Sequence, residues 1–263
     1  ENNSFDNLIK YLVDCNVVTT NDLKKWDHRV LRYIRNRTSN SCYSSMSFML
    51  ELEALKQALI SPPKIVHFWI GDNDYYYSYW IRRITKAKVV VNLFFSIEEL
   101  EQRMPNKVHL NKADLITCSG LKQLEYLSKF ISEDKLAYLP LCVDTKFFIP
   151  STTIKSINHP RLLQVGFNRR NFILLKKVYL QLKSHLPDLN LDMVVGKDEV
   201  AKDFLDLDDV NFYPFLQKSE LKSIYQKADL LILPLNEGGS SQSLNEALAC
   251  GLPIVTNDYP FLS

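Results

Sequence analysis

Glycine is scarce in this chain: seven among 263 residues, and three of the seven fall within residues 235–258, LNEGGSSQSLNEALACGLPIVTND. No apolar run approaches the ~18 residues that a membrane-spanning helix needs. The opening ENNSFDNLIK lacks the basic-then-apolar layout of a signal peptide, so the expected location is cytoplasmic. Cys15, Cys42, Cys118, Cys142 and Cys250 are odd in number and widely spaced, without a C-x-x-C pair. That argues against a disulfide framework and against a zinc site. Charge of one sign is also missing, since 32 basic and 30 acidic side chains leave +2, and such a balance argues against bulk nucleic-acid binding.

What is present is the composition of a globular protein, 46% hydrophobic and 24% charged. At ~150 residues per domain the length predicts two domains. From Arg161 onward short apolar runs alternate with helical periods: RLLQVG, KKVYLQLKSHL, LDMVVG, VNFYPF, SELKSIYQKA, DLLILPL, SLNEALAC and PIVTND. This is the pattern of a doubly wound parallel sheet. The first half repeats it less regularly, with helix MLELEALKQALI, strand KIVHFWIG, strand KVVVNLFF and the stretch ADLITCSG. CVDTKFFIPSTTIKSINHP reads as the link, giving domains 1–152 and 153–263. Helix FDNLIKYLVDC, strand NVVTT and basic helix NDLKKWDHRVLRYIRNR open the chain without the strand and glycine-rich turn that start a Rossmann-like half. The expectation is a chain clipped at both ends.

Three turns end predicted strands, where open parallel sheets bind ligands: Gly166 to Asn171, Gly196 to Asp198, and Glu237 to Ser243. The third opens a helix, whose N–H groups and dipole favour an anion such as a phosphate. A structural reading competes. Ser243 and Glu246 have the spacing of a capping box, and Gly251 before Pro253 is an ordinary helix stop.

ADLLILPLNEGGSSQSLNEALACGLPIVTND resembles the signature of retaining GT-B glycosyltransferases of family four, in which E-G-x(n)-E-A-(L/M)-A-x-G-x-P-V-V follows an AD-x-x-x-x-P strand. CVDTKFFIP, LLQVGFNRRN and KIVHFWIG resemble further family segments in the same order. The resemblance implies an α/β GT-B fold, two Rossmann-like doubly wound domains facing a cleft. It implies that Glu246 holds the ribose hydroxyls of a nucleotide diphosphate-sugar and that Arg170 with Arg169, after Gly166, neutralises the diphosphate. Glu237, Gly238, Gly239, Ser240 and Ser241 would face the donor sugar and phosphates. A guanidinium and helix N–H groups suffice for that charge, so no metal and no cofactor beyond the donor are expected.

The chain departs from the family at three places. Glu237 and Glu246 are 246 − 237 = 9 apart, one more than the family spacing; Phe167 stands where an arginine is expected; and Asn92 to Phe95 offers no histidine at the end of VVVNLFFS. His67 and Asp72 are the nearest polar substitutes and become the candidate catalytic residues, against plain readings as a core histidine and a turn former. The cluster DYYYSYW is either a sugar-stacking platform or a packed face. Helix 22–37, with six basic residues and Trp26, Val30, Tyr33 and Ile34 on one side, reads either as a membrane-surface contact or as a solvated helix packed inward. Two main readings follow. One is a glycosyltransferase moving a sugar, with retention, from a nucleotide diphosphate-sugar to a glycan, lipid-linked or other acceptor, peripheral to the inner face of a membrane if helix 22–37 contacts lipid. The other is a catalytically silent GT-B module binding nucleotide-sugar or a partner protein. An epimerase or phosphorylase on the same fold is a third.

Overall fold

In the computed structural model the described residues are 14–23, 37–152, 159–196, 202–204, 206–236 and 241–258. Among the described residues the first α-helix begins at an extended serine. Ser44 closes a reciprocal capping pair with Ser47 and starts helix α1, Ser45–Ile60, which stops at Ser61 ahead of Pro62. Glu51 is the unusual residue of α1: fully buried, it accepts the Tyr43 hydroxyl at 2.6 Å and the N–H groups of Tyr76, Tyr77 and Ser78. Those amides sit just before helix α3, Tyr79–Thr85, so one carboxylate pins α1 to the stretch that starts it.

Contacts divide the chain into a unit Asp14–Pro140 and a second that begins at Leu141. The first carries a four-stranded parallel sheet in the order β1-β2-β3-β4, formed by Ile65–Phe68, Lys88–Leu93, Leu115–Cys118 and Leu136–Tyr138. Val89, Val91, Leu93, Ile116 and Cys118 are fully buried in its core. Three short helices complete it: α2 (Gly71–Asp74), α4 (Ile97–Arg103, capped reciprocally by Ser96 and Glu99) and α5 (Leu121–Ser128).

The second unit carries five parallel strands in the order β7-β6-β5-β8-β9: Arg161–Val165 (β5), Asn190–Val194 (β6), Val210–Phe212 (β7), Leu230–Leu233 (β8) and Ile254–Thr256 (β9). Helices α6 (Phe172–His185), α7 (Lys218–Lys227) and α8 (Gln242–Ala249) connect them. Winding from β5 outward goes first to β6 and β7 and then returns to β8 on the other side. That reversal makes the carboxyl ends of β5 and β8 the switch point, where open α/β sheets bind ligands.

Two expectations change. The stretch 141–152, read as the tail of the first domain, groups with the second unit, because Phe148 is buried in its core edge-on to Tyr225 with ring centroids 6.0 Å apart. The predicted strand NVVTT is no strand: residues 16–19 have no regular structure, and Thr20–Asp22 form a 3-10 turn capped by Thr19. Four β-branched residues in a row carry strand propensity, but pairing decides the outcome. Residues 24–36, most of the basic helix 22–37, lie outside the described residues.

Candidate functional site at the ends of β5 and β8

β5 ends in Gly166, whose φ of +88° turns the chain out of the sheet. Its N–H remains tied to Val194 O at 3.0 Å, and its carbonyl accepts Gln164 Nε2 at 2.6 Å. Arg169 takes φ +61°, rare for a side-chain-bearing residue, and so redirects the chain into α6. The turn is clamped to the end of β8 by Asn171 N to Pro234 O and Asn236 N to Arg169 O, both 2.9 Å, and by Asn236 Nδ2 to Arg170 O at 3.1 Å.

Within that clamp the Arg170 side chain folds back beneath its own turn. Nε donates to Val165 O at 3.2 Å, one terminal nitrogen to Asn168 O at 3.3 Å, and the other to Ser241 Oγ at 3.1 Å and Ser243 Oγ at 2.9 Å. These acceptors are neutral, and among the described residues no carboxylate forms an ion pair with Arg170. Burial lowers its pKa to about 10; the Tyr225 phenol works against that and the neighbouring Arg169 charge adds to it. The guanidinium therefore stays charged at neutral pH, partly buried and not neutralised by a described acid. Gly166 makes this possible, since a Cβ there would stand 3.3 Å from the guanidinium.

Ser241 and Ser243 begin α8, and the capping-box reading fails here. Ser241 is the N-cap but makes no side-chain cap bond, and Ser243 is bonded to Arg170 and Ser241. Glu246 instead accepts Tyr225 Oη on Oε2 at 3.0 Å. Burial raises the Glu246 pKa above the ordinary carboxylate range, opposed by the hydrogen bonds from Tyr225 and Gln242 and by the Lys218 charge. The Tyr225 phenol is pushed well up, first by burial and then by the Glu246 charge, with Arg170 pulling the other way. Arg170 and Glu246 thus act with opposite charge on one buried tyrosine. Asn245 Nδ2 holds Leu141 O at 2.8 Å and Gln242 Nε2 holds Cys142 O at 3.3 Å, so α8 also anchors the segment leading into this unit. Gly251, φ +67°, ends α8 as expected.

Of the residues singled out in the sequence, Gly166, Arg169, Arg170, Ser241 and Glu246 therefore gather at one switch point. Glu237, Gly238, Gly239 and Ser240 lie outside the described residues. Tyr225 was not singled out, and Ser243 was read only as a helix cap. A tyrosine at an apolar position of a helix was the available signal, because a buried phenol has to find a partner.

The two candidate catalytic residues belong to the first unit. His67 lies in β1, stacked on Trp69 with ring centroids 4.4 Å apart; its Nε2 is buried without a hydrogen-bond partner, and burial lowers its pKa. Asp72 is 1% exposed. Asp72, read from the sequence as either a catalytic residue or a turn former, instead lies in the start of α2, packed so closely on β2 that a Cβ on Gly71 would fall 2.2 Å from Val91. Asp72 accepts the N–H groups of Phe94 at 2.6 Å and Phe95 at 3.2 Å, and burial pushes its pKa up to about 7. Both oxygens are thus engaged in holding the backbone after β2. The DYYYSYW stretch packs on neighbours: Tyr76 stacks on His109 at 4.5 Å and Tyr79 on Trp80 at 5.0 Å.

Among the described residues no group of three His, Cys, Asp or Glu is placed to hold a metal ion, and no helix is long and apolar enough to cross a membrane.

Residues 160–262 match the family model described as glycosyl transferases group 1. An uncharacterized glycosyltransferase of Haemophilus influenzae is 31% identical over 150 residues, 53% of this chain and 42% of its own length. Among solved structures, sucrose-phosphate synthase from Thermosynechococcus elongatus superposes with a TM-score of 0.63 at 17% identity, covering 91% of this chain and 64% of that one. Anabaena HepE in complex with UDP and glucose gives 0.58 at 12% identity, covering 79% and 62%. The chain thus spans less than half the length of its curated relative and less than two thirds of either structure. The segment that builds the switch point, residues 160–262, carries the pattern of glycosyl transferases group 1 on a chain with the α/β GT-B fold.

Proposed function

We propose that this chain binds a nucleoside diphosphate-sugar at the ends of β5 and β8 and transfers the sugar to an acceptor, with retention of configuration. The observation that carries the reading is Arg170: a partly buried cation, hydrogen-bonded to neutral groups and without a carboxylate partner among the described residues, at the switch point of the sheet. A pyrophosphate supplies the missing negative charge. As the sugar–phosphate bond breaks, negative charge grows on the leaving diphosphate, and a preorganised guanidinium stabilises it with little reorganisation. Arg169 and the Ser241 hydroxyl are assigned to the same diphosphate, and Glu246, 76 residues further along the chain than Arg170 (246 − 170), to the pentose hydroxyls. The guanidinium and the α8 amino terminus together supply the charge stabilisation that a metal would otherwise provide, so no metal is assigned. Glu237, Gly238, Gly239 and Ser240 complete the donor side in this reading. The acceptor, glycan or lipid-linked, is assigned to the first unit, and a cytoplasmic location, with peripheral membrane contact through the basic stretch 22–37, accompanies it. Isothermal titration with UDP, GDP and ADP tests the binding step; no heat with any of the three overturns it.

Two observations favour a catalytically silent nucleotide-sugar-binding module. Asp72 spends its carboxylate on the Phe94 and Phe95 amides, and Phe167 replaces a cation in the turn. Donor hydrolysis separates the two readings, because nucleotide binding with no turnover against a broad acceptor panel selects the silent module.

A further inference from the structure

Tyr225 is fully buried in α7, in a core that includes Phe148, Leu163, Ile224, Leu231, Ala247 and Leu252. Phe148 meets its ring edge-on, so the ring is held in place. A phenol in apolar surroundings costs free energy unless its hydroxyl is bonded, and Glu246 Oε2 at 3.0 Å is the partner it has. Glu246 gains equally, because desolvation opposes its charge and the phenol offsets part of that. For stability alone, two apolar residues of similar volume would serve as well or better than a half-buried carboxylate tied to a buried phenol. The pair makes sense if the carboxylate has to be charged and fixed in direction.

We propose that Tyr225 is a positioning residue for pentose recognition: rooted in the core, it fixes the plane of the Glu246 carboxylate so that the remaining acceptor sites meet the vicinal 2′- and 3′-hydroxyls of the nucleoside diphosphate. A carboxylate offers about four lone-pair sites, and the bonds from the rigid Tyr225 phenol and from Gln242, on the same helix as Glu246, leave the others available in a set orientation. Without the phenol only the Gln242 bond remains, and Glu246 loses more rotamer freedom each time nucleotide binds. The inference rests on the assignment of Glu246 to the pentose.

The test is titration of the protein and of Tyr225→Phe, Glu246→Gln and the double variant with UDP, ADP and GDP and with their 2′,3′-dideoxy counterparts. Tyr225→Phe keeps the ring in its core position and removes only the hydroxyl. It is expected to weaken the ribonucleotide roughly tenfold, the scale of a hydrogen bond to a charged group, and to leave the dideoxynucleotide within about twofold. The double variant should then be no weaker than Glu246→Gln. Equal loss for both nucleotides would make Tyr225 a merely structural residue and overturn the inference. If the unaltered protein itself fails to distinguish the two, or binds neither, the assignment of Glu246 fails and takes the inference with it. Should Tyr225→Phe not fold, 3-fluorotyrosine at position 225 keeps the shape and strengthens the donor; it must change the ribonucleotide-to-dideoxynucleotide ratio, and an unchanged ratio overturns the inference.

Discussion

The guanidinium of Arg170 reaches across from the end of β5 to hold both Ser241 and Ser243, at 3.1 and 2.9 Å, at the start of α8. Two segments about 70 residues apart in sequence therefore share one cation (241 − 170 = 71 and 243 − 170 = 73). The hydroxyls that would have capped α8 are instead committed to orienting a positive charge.

Replacing Arg170 by lysine keeps the charge but loses the planar fork that serves two carbonyls and two hydroxyls at once. Nucleoside diphosphate affinity should fall by about 1–3 kcal/mol, and Arg170→Ala should fall further while also loosening the β5–β8 clamp. Titration calorimetry with UDP, beside thermal unfolding of each variant, checks this. Unchanged affinity in Arg170→Lys would show that the fork plays no part.

Gly166→Ala introduces a Cβ at φ +88° and 3.3 Å from the Arg170 guanidinium. Backbone strain of about 1–2 kcal/mol is expected, visible as a lower unfolding midpoint in denaturant. Diphosphate affinity should fall alongside it, because the guanidinium has to shift. A stability loss with affinity intact would uncouple the turn from binding.

Glu246 holds its proton to higher pH than an ordinary glutamate, because burial disfavours the charge. A protonated carboxyl accepts poorly from sugar hydroxyls, so affinity should decline as pH falls through this raised pKa and recover above it. Nucleotide phosphates titrate too, and the useful quantity is the difference between the protein and Glu246→Gln across the pH range. That difference should be largest at high pH and shrink on acidification; a flat difference would sink the role.

Asp72 has a folded pKa of about 7 against an ordinary 3.8, raised chiefly by burial. Between those values the unfolded chain has released the proton and the folded chain retains it. Its stabilising contribution is thus complete below the unfolded pKa and lost as pH rises to about 7, a change of at most about 4 kcal/mol. Relative to Asp72→Asn, the parent protein should be most stable in acid and lose that advantage toward neutrality in chemical denaturation series. The opposite slope would mean that the two backbone N–H bonds outweigh desolvation.

The alternating pattern after Arg161 was readable because each strand there is a short apolar run bounded by turn residues, and period and boundaries carry the signal. The turn Gly166 to Asn171 was readable for a related reason, since turns after such strands are where ligands bind, whereas Glu246 was singled out by the resemblance to a family signature and by local pattern alone read as a cap. The first unit was harder. β4 is three residues long, and α2 to α5 span four to eight residues, too short for a period to emerge. NVVTT had strand-like residues but found no partner strand.

Chain order alone was enough for the α/β fold class and for where turns and charged residues follow the strands, because periodicity, turn chemistry and side-chain type are local properties. It took packing between distant segments to show which partner each side chain has. Ser243 goes to Arg170 rather than to its own helix, Asp72 to the backbone after β2 rather than to an open turn, and Glu246 to a tyrosine 21 positions away (246 − 225). Hydrogen bonds of that kind follow from burial, which leaves each polar group to pair with whatever the fold brings within 3 Å or so, and no spacing rule encodes that neighbour.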